Sequence, residues 1–298
     1  MSRIAMRPMS LAESGESTAS TSLAALLDGE AVPPGSSQIA VADLAQLIVR
    51  GGWPLHLGMA DDAAAQAAVD YLASIAQDDL SRLDSARRDP SRASRVLHAL
   101  ARHTAGELVV ERLTREIDGP DGPLARTTVY DYLRDLRRLL VLEDQPAWAP
   151  HLRSRARLRS RSRVHLVDPS LAAAALGADA DGLRSDLRSL GLLFESLVVR
   201  DLRCYADSID ATVSHYRDSD DLEVDAVVQR RDGAFAAFEV KLGQSQVEEA
   251  ATNLLRLARK LDVERTGRPA ALVVVTGAGY AYQRPDGVAV VPIGTLGP

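Results

Sequence analysis

Three carboxylates and one ammonium stand at spacings that suit chemistry on a phosphate or around a cation. Asp221-Leu222-Glu223-Val224-Asp225 and Phe238-Glu239-Val240-Lys241 flank the turn-like Arg230-Arg231-Asp232-Gly233. An Asp-Gly between two Val- and Phe-containing runs is a hairpin signal. Alternate residues of a strand share a face, so Glu239 and Lys241 point one way and Phe238 and Val240 the other. Glu223 and Asp225 share a face on the partner strand. Folding the hairpin therefore gathers Glu223, Asp225, Glu239 and Lys241 over a small area, where like charges repel unless a cation neutralises them.

The elements that must hold this group are legible on either side. Gly191-Leu192-Leu193-Phe194-Glu195 opens a helical pattern with Leu193, Leu197 and Val198 on one side and Glu195 among them. A strand is expected around Ala211–Arg217. Beyond the hairpin, Val247, Ala250, Ala251, Leu254, Leu257, Ala258 and Leu261 recur at helical spacing, followed by the apolar strand 270–275. This order of helix, three strands, helix and strand, with Glu195, Asp225 and Glu239-x-Lys241, resembles the PD-(D/E)xK nuclease-like superfamily. Lys241 and Lys260 are the only lysines among 35 basic residues. A lysine kept where arginine is otherwise used is informative, because a compact ammonium and a planar guanidinium are not interchangeable beside a phosphate. The plain alternative is a charged outer face of a hairpin.

The resemblance implies a restriction-endonuclease-like αβββαβ domain and a divalent metal. Asp225 and Glu239 are hard oxygen ligands suited to Mg²⁺ or Mn²⁺, and Glu195 is the third candidate, binding a second metal or orienting water. Such a metal lowers the pKa of bound water and neutralises charge on the phosphate. Lys241 would hold the attacking water or stabilise that charge. Glu195, Asp225, Glu239 and Lys241 are thus the candidate catalytic set. A fold does not fix a function, and the same scaffold serves equally as a non-catalytic binding module.

The whole chain has 298 residues, 46% of them hydrophobic and 26% charged, as in an ordinary folded protein of two or three domains. Aromatic content of 4% supplies few platforms for stacking single-stranded bases. A net charge of −6 gives no global attraction to nucleic acid, so any such binding must be local. Cys204 is the lone cysteine, and the six histidines show no ligand spacing. Without a signal-like apolar core or a membrane-length run, the cytoplasm is the expected compartment and no membrane partner is expected.

Arg3 to Met9 reads as a short strand, a short helix is expected at Leu23–Leu27, a helical pattern at 41–49, and two long helices at 61–77 and around 79–83. Helices over 91–103, 107–117 and from a Thr127 or Thr128 cap onward, with a two-stranded wing from 139–143 and the stretch around Trp148, spell a winged helix-turn-helix. The third helix presents Arg134, Arg137 and Arg138 (with Arg126) to DNA. Arg153, Arg155, Arg157, Arg159, Arg161 and Arg163 follow, and six like charges so close call for a balancing partner such as a phosphate backbone.

Arg7-Pro8-Met9-Ser10-Leu11-Ala12-Glu13, Arg50-Gly51-Gly52-Trp53-Pro54, Thr128-Val129-x-x-Tyr132-Leu133, Leu166-Val167-Asp168-Pro169-x-Leu171, Gly191-x-Leu193-Phe194-Glu195 and Glu223-Val224-Asp225 together resemble a prokaryotic family, domain of unknown function 4143. That family follows an AAA-type ATPase core, which implies an ATPase module or subunit as partner. The expected organisation is a mixed α/β (α+β) chain with four parts. Residues 1–90 are helical, 91–150 winged-helix-like, 151–187 an Arg-rich linker and strand, and 188–298 nuclease-like. The expected function is a DNA-associated accessory domain with a metal-dependent phosphodiesterase site, or an inactive DNA- or protein-binding regulatory module on that scaffold.

A phosphate-binding loop needs Gly-Lys-Ser/Thr, and Leu follows both lysines here. The purified chain should accordingly show no heat of ATP binding in calorimetry. Micromolar affinity would overturn that expectation.

Overall fold

The hairpin forms, and a sheet grows outward from it on both sides. The computed structural model describes residues 6–83, 89–117, 122–150 and 161–298. In chain order its strands are β1 (Thr21–Ser22), β2 (Gly35–Ser36), β3 (Gly106–Glu107), β4 (Leu142–Gln145), β5 (Arg163–Leu166), β6 (Ala211–Arg217), β7 (Glu223–Arg230), β8 (Phe235–Lys241), β9 (Ala271–Thr276), β10 (Tyr280–Gln283), β11 (Ala289–Pro292) and β12 (Leu296–Gly297). Two compact units share the chain: Met1–Leu44, Gln145–Ser160 and Leu197–Pro298 make one, Ala45–Asp144 and Arg161–Ser196 the other.

The first unit is built on a seven-stranded mixed sheet ordered β2-β10-β11-β9-β8-β7-β6. β6, β7 and β8 run antiparallel in sequence, and Gly233, at a φ of +97°, turns the β7–β8 hairpin where a side chain would be strained. β8 then pairs parallel with β9. A parallel partner needs a crossover, supplied by the helix Val247–Lys260. Its buried stripe of Val247, Ala250, Ala251, Leu254 and Leu257 packs on Phe235, Ala237 and Val274. Each fully buried Leu or Val of that stripe contributes roughly 1.5–3 kcal/mol. β10, β11 and the two-residue edge strand β2 extend the sheet further than sequence periodicity indicated. Trp148 joins this core, 4.8 Å from Phe235 between ring centroids, with its indole N–H on Gln229 Oε1 at 3.1 Å.

The second unit is mostly helical, with the helices Asp61–Ser74, Pro90–Arg102, Val110–Glu116, Arg126–Arg138 and Pro169–Leu176. Its small sheet is ordered β3-β5-β4. Several expectations change here. The stretch from Glu107 does not enter the helix, because Gly106 and Glu107 pair with Val164 and Arg163 as a strand. Leu142–Gln145 pairs with β5 rather than with the stretch at Trp148, whose ring is buried in the first unit. Ala125, not a threonine, is the N-cap of Arg126–Arg138, with no side-chain capping bond. The helix from Asp61 ends at Ser74 and passes through a π-turn over Ile75–Asp79. Met6–Ser10 are not strand, and Arg3 to Ala5 lie outside the described residues. Among the described residues no helix is long and apolar enough to cross a membrane.

Two of the sequence motifs meet at Asp168. Its carboxylate is fully buried, caps the helix Pro169–Leu176 by accepting the Ser170 N–H at 2.9 Å, and accepts the Gly52 N–H at 3.0 Å. Trp53 Nε1 donates to Ser170 Oγ at 2.9 Å beside it. Gly51 has a φ of +72°, and a Cβ there would fall 2.5 Å from Ser170 Oγ. Asp168→Ala removes a cap and strands a buried N–H, and should destabilise by about 3 kcal/mol. A urea midpoint unchanged from wild type would contradict this account.

Candidate functional site

The antiparallel ladder between β7 and β8 runs from Gln229 opposite Phe235 to Ala226 opposite Phe238. One step further the register sets Asp225 opposite Glu239. There the Val240 N–H donates to Asp225 Oδ2 at 2.9 Å, so a side-chain carboxylate accepts a strand N–H and is aimed by it. Gln145 fastens the same point, its Nε2 donating to the backbone carbonyls of Asp225 at 2.8 Å and Ser214 at 3.2 Å.

Glu239 continues the β8 face of Phe235 and Ala237, which lies under the helix Val247–Lys260. It is 4% exposed. Asn253 Nδ2, from that helix, donates to Glu239 Oε1 at 2.6 Å and to the Glu223 carbonyl at 2.5 Å. Lys241 Nζ is 2.9 Å from Glu239 Oε2 and 3.8 Å from Asp225 Oδ2. One ammonium thus spans both carboxylates at the carboxyl end of β8. Burial first, and the neighbouring Asp225 second, push the Glu239 carboxyl up to about 7, against the pull of Lys241 and Asn253.

The group opens into a cavity of about 450 Å³ lined by Asp221, Glu223, Glu239, Lys241, Glu249 and Arg256, among others. Glu248, also on the wall, is held by Arg284 in a two-pronged pair at 2.6 and 2.9 Å. The rim is acidic, with Arg256 and Lys241 as its cations. Among the described residues no group of three or more His, Cys, Asp or Glu side chains is gathered to hold a metal ion.

Asp225, Glu239 and Lys241 are therefore brought together. Glu195 belongs to the other unit, where Arg163 Nη1 donates to its Oε1 at 2.7 Å. The helix arginines expected to face DNA have carboxylates nearby. Arg134 lies 2.9 Å from Asp131, Arg137 forks onto Asp144 at 2.6 and 2.7 Å, and Arg138 is 4.0 Å from Asp135. Arg153, Arg155, Arg157 and Arg159 lie outside the described residues. Sequence reasoning missed Asn253, Gln145 and Arg256. Asn253 had a faint signal, as an amide on the helix that follows Glu239-x-Lys241, whereas nothing in the sequence ties Gln145 to residues 80 positions away.

Residues 190–296 match the family model described as Domain of unknown function (DUF4143), and residues 41–182 match that described as Domain of unknown function (DUF8612). The resemblance to domain of unknown function 4143 holds for the C-terminal segment. The motifs at Arg50–Pro54, Thr128–Leu133 and Leu166–Leu171 fall in the segment matched by the second model. No curated protein and no solved structure matches the chain.

Because Glu239 gains proton affinity on folding, the native chain holds a proton that the unfolded chain has released between about pH 4.5 and 7. Stability from this group is complete at the low end of that window and lost as pH rises to 7. In EDTA, the urea midpoint of wild type should fall relative to Glu239→Gln between pH 5 and 8. A difference independent of pH would refute the burial argument.

Proposed function

With residues 190–296 carrying the DUF4143 domain, we propose that Asp225, Glu239 and Lys241 form a divalent-metal site for phosphodiester hydrolysis on a PD-(D/E)xK-like scaffold. The chain is then a DNA-associated accessory module of an AAA-type ATPase. The observation that carries the reading is the single ammonium spanning two convergent carboxylates, with Glu239 and Lys241 lining an open cavity. The donor set fits Mg²⁺ or Mn²⁺: two hard carboxylates, one of them raised in proton affinity by burial and then by its neighbour, with room for substrate oxygens and water. Mg²⁺ characteristically takes one or two carboxylates and completes its shell from water and substrate phosphates rather than from an all-protein cage. When bound there, the ion would polarise a phosphoryl oxygen and acidify its water.

The chain's own groups do the rest. Asp225 is aimed by the Val240 N–H, and Glu239 is oriented by Asn253. Lys241 neutralises the pair in the free protein and would turn to charge developing on the phosphate. Arg256, on the cavity wall, would meet a substrate phosphate. In the other unit, the order helix, β3, helix, helix, β4, β5 with sheet order β3-β5-β4 supports reading that part as a winged-helix-like DNA module.

One observation favours a second reading, an inactive DNA- or protein-binding regulatory module on the same scaffold. Glu195, the third candidate ligand, is already paired with Arg163.

Mn²⁺ titration and a plasmid-nicking assay separate the two. The wild type should bind Mn²⁺ and nick, and Asp225→Ala should lose both. Lys241→Ala should keep Mn²⁺ while nicking drops roughly 10²–10³-fold, as when one transition-state stabiliser is removed. No Mn²⁺ binding by wild type sinks the metal site, and binding without nicking selects the second reading.

A further inference from the structure

In the second unit, the helix Pro90–Arg102 carries Arg95, His98 and Arg102 on one face, at i, i+3 and i+7. They line an open cavity of about 510 Å³ whose wall also includes Glu116 and Ala175. His98 and Glu116 each have a partner among the described residues. His98 Nδ1 is 2.7 Å from the Ala175 carbonyl, to which it donates, and this holds the ring in place. Glu116 Oε2 is 2.9 Å from His103 Nε2.

Arg95 reaches only Ser91 Oγ, at 3.4 Å, and its Nε is shielded from solvent without a partner. Arg102 has no hydrogen bond or ion pair among the described residues. The arginines around them are different, since Arg92 pairs with Asp89, Arg126 with Glu111 and Arg134 with Asp131. Two unneutralised guanidiniums in one concavity of a chain whose net charge is −6 call for an anion with several acceptor oxygens.

The cavity's composition and span narrow the anion. No Phe, Tyr or Trp side chain lines it, and its one aromatic ring, His98, is tied to the Ala175 carbonyl, so a base has little to stack on. Seven helical residues separate the arginines by about 10 Å. That spacing matches about three nucleotide steps along one strand. We propose that the Arg95–His98–Arg102 face binds the phosphodiester backbone of a nucleic acid without reading its bases. The site needs no divalent cation and stands apart from the metal-site reading.

The test is fluorescence anisotropy of a labelled duplex with the full chain in EDTA, over a salt series. Wild type should bind with a salt-dependent affinity. Each lost phosphate contact lowers the log–log slope by about 0.9, so Arg95→Gln/Arg102→Gln should lower it by about 1.8. Arg102→Gln alone, at an exposed position, should lower it by about 0.9 and guards against a folding defect in the double variant. Arg95→Lys/Arg102→Lys should keep the slope, and Arg265→Gln, at an exposed arginine paired with Asp262 in the other unit, should not alter it. No duplex binding by wild type, or an unchanged slope in both Gln variants, overturns the proposal. Displacement of the duplex by micromolar pyrophosphate would also overturn it, in favour of a small-molecule phosphate pocket.

Discussion

Glu239 carries a carboxyl group into a sheet face that Phe235 and Ala237 have made apolar, and the rest of the site answers to that burial. An uncompensated buried carboxylate costs several kcal/mol. Three responses are visible: the Lys241 ammonium, the Asn253 amide, and the group's own tendency to keep its proton. Asp225 sits opposite and would worsen the repulsion, yet it is committed to the same place by the Val240 N–H and by Gln145 behind its backbone. The fold thus holds two acids together that would separate in water. That is unfavourable for stability.

The motifs that stand out in the sequence divide by the work their carboxylates do. Asp168, in one of those motifs, and Asp201, outside them, are fully buried, and each accepts a backbone N–H from far away in the chain, Gly52 and Leu11 respectively. Asp201 accepts the Leu11 N–H at 3.0 Å and the Tyr205 hydroxyl at 3.4 Å, with Arg200 on its other oxygen. These residues fix the path of segments that have no regular structure of their own. Asp225 does the same for Val240, but its Oδ2 also faces Lys241. It is both a fastening and part of the site.

Charge tells a similar story across the surface. Exposed ion pairs such as Arg126–Glu111 or Arg265–Asp262 contribute little each, about 0–1 kcal/mol. Their effect is to cancel the arginines' fields locally. Attraction for an anion is then confined to the places where the cancellation is incomplete.

The sequence by itself determined the local elements around the site. Period-two alternation in 223–230 and 235–241, the Asp-Gly turn and the heptad-like stripe of Val247–Leu257 are each local patterns with one stable reading. The convergence of Asp225, Glu239 and Lys241 follows from them, because a hairpin's register is set by its turn. Only the tertiary structure decided how deeply Glu239 is buried, since that depends on which helix covers β8. It likewise decided that Asn253 reaches Glu239, that Gln145 reaches Asp225, and that Glu195 meets Arg163. The partner of Leu142–Gln145 and the burial of Trp148 were decided the same way. These contacts join residues whose separation in the chain carries no periodic signal. Side-chain hydrogen bonds of this kind leave no trace in hydropathy, which records what is buried and not what it is buried against.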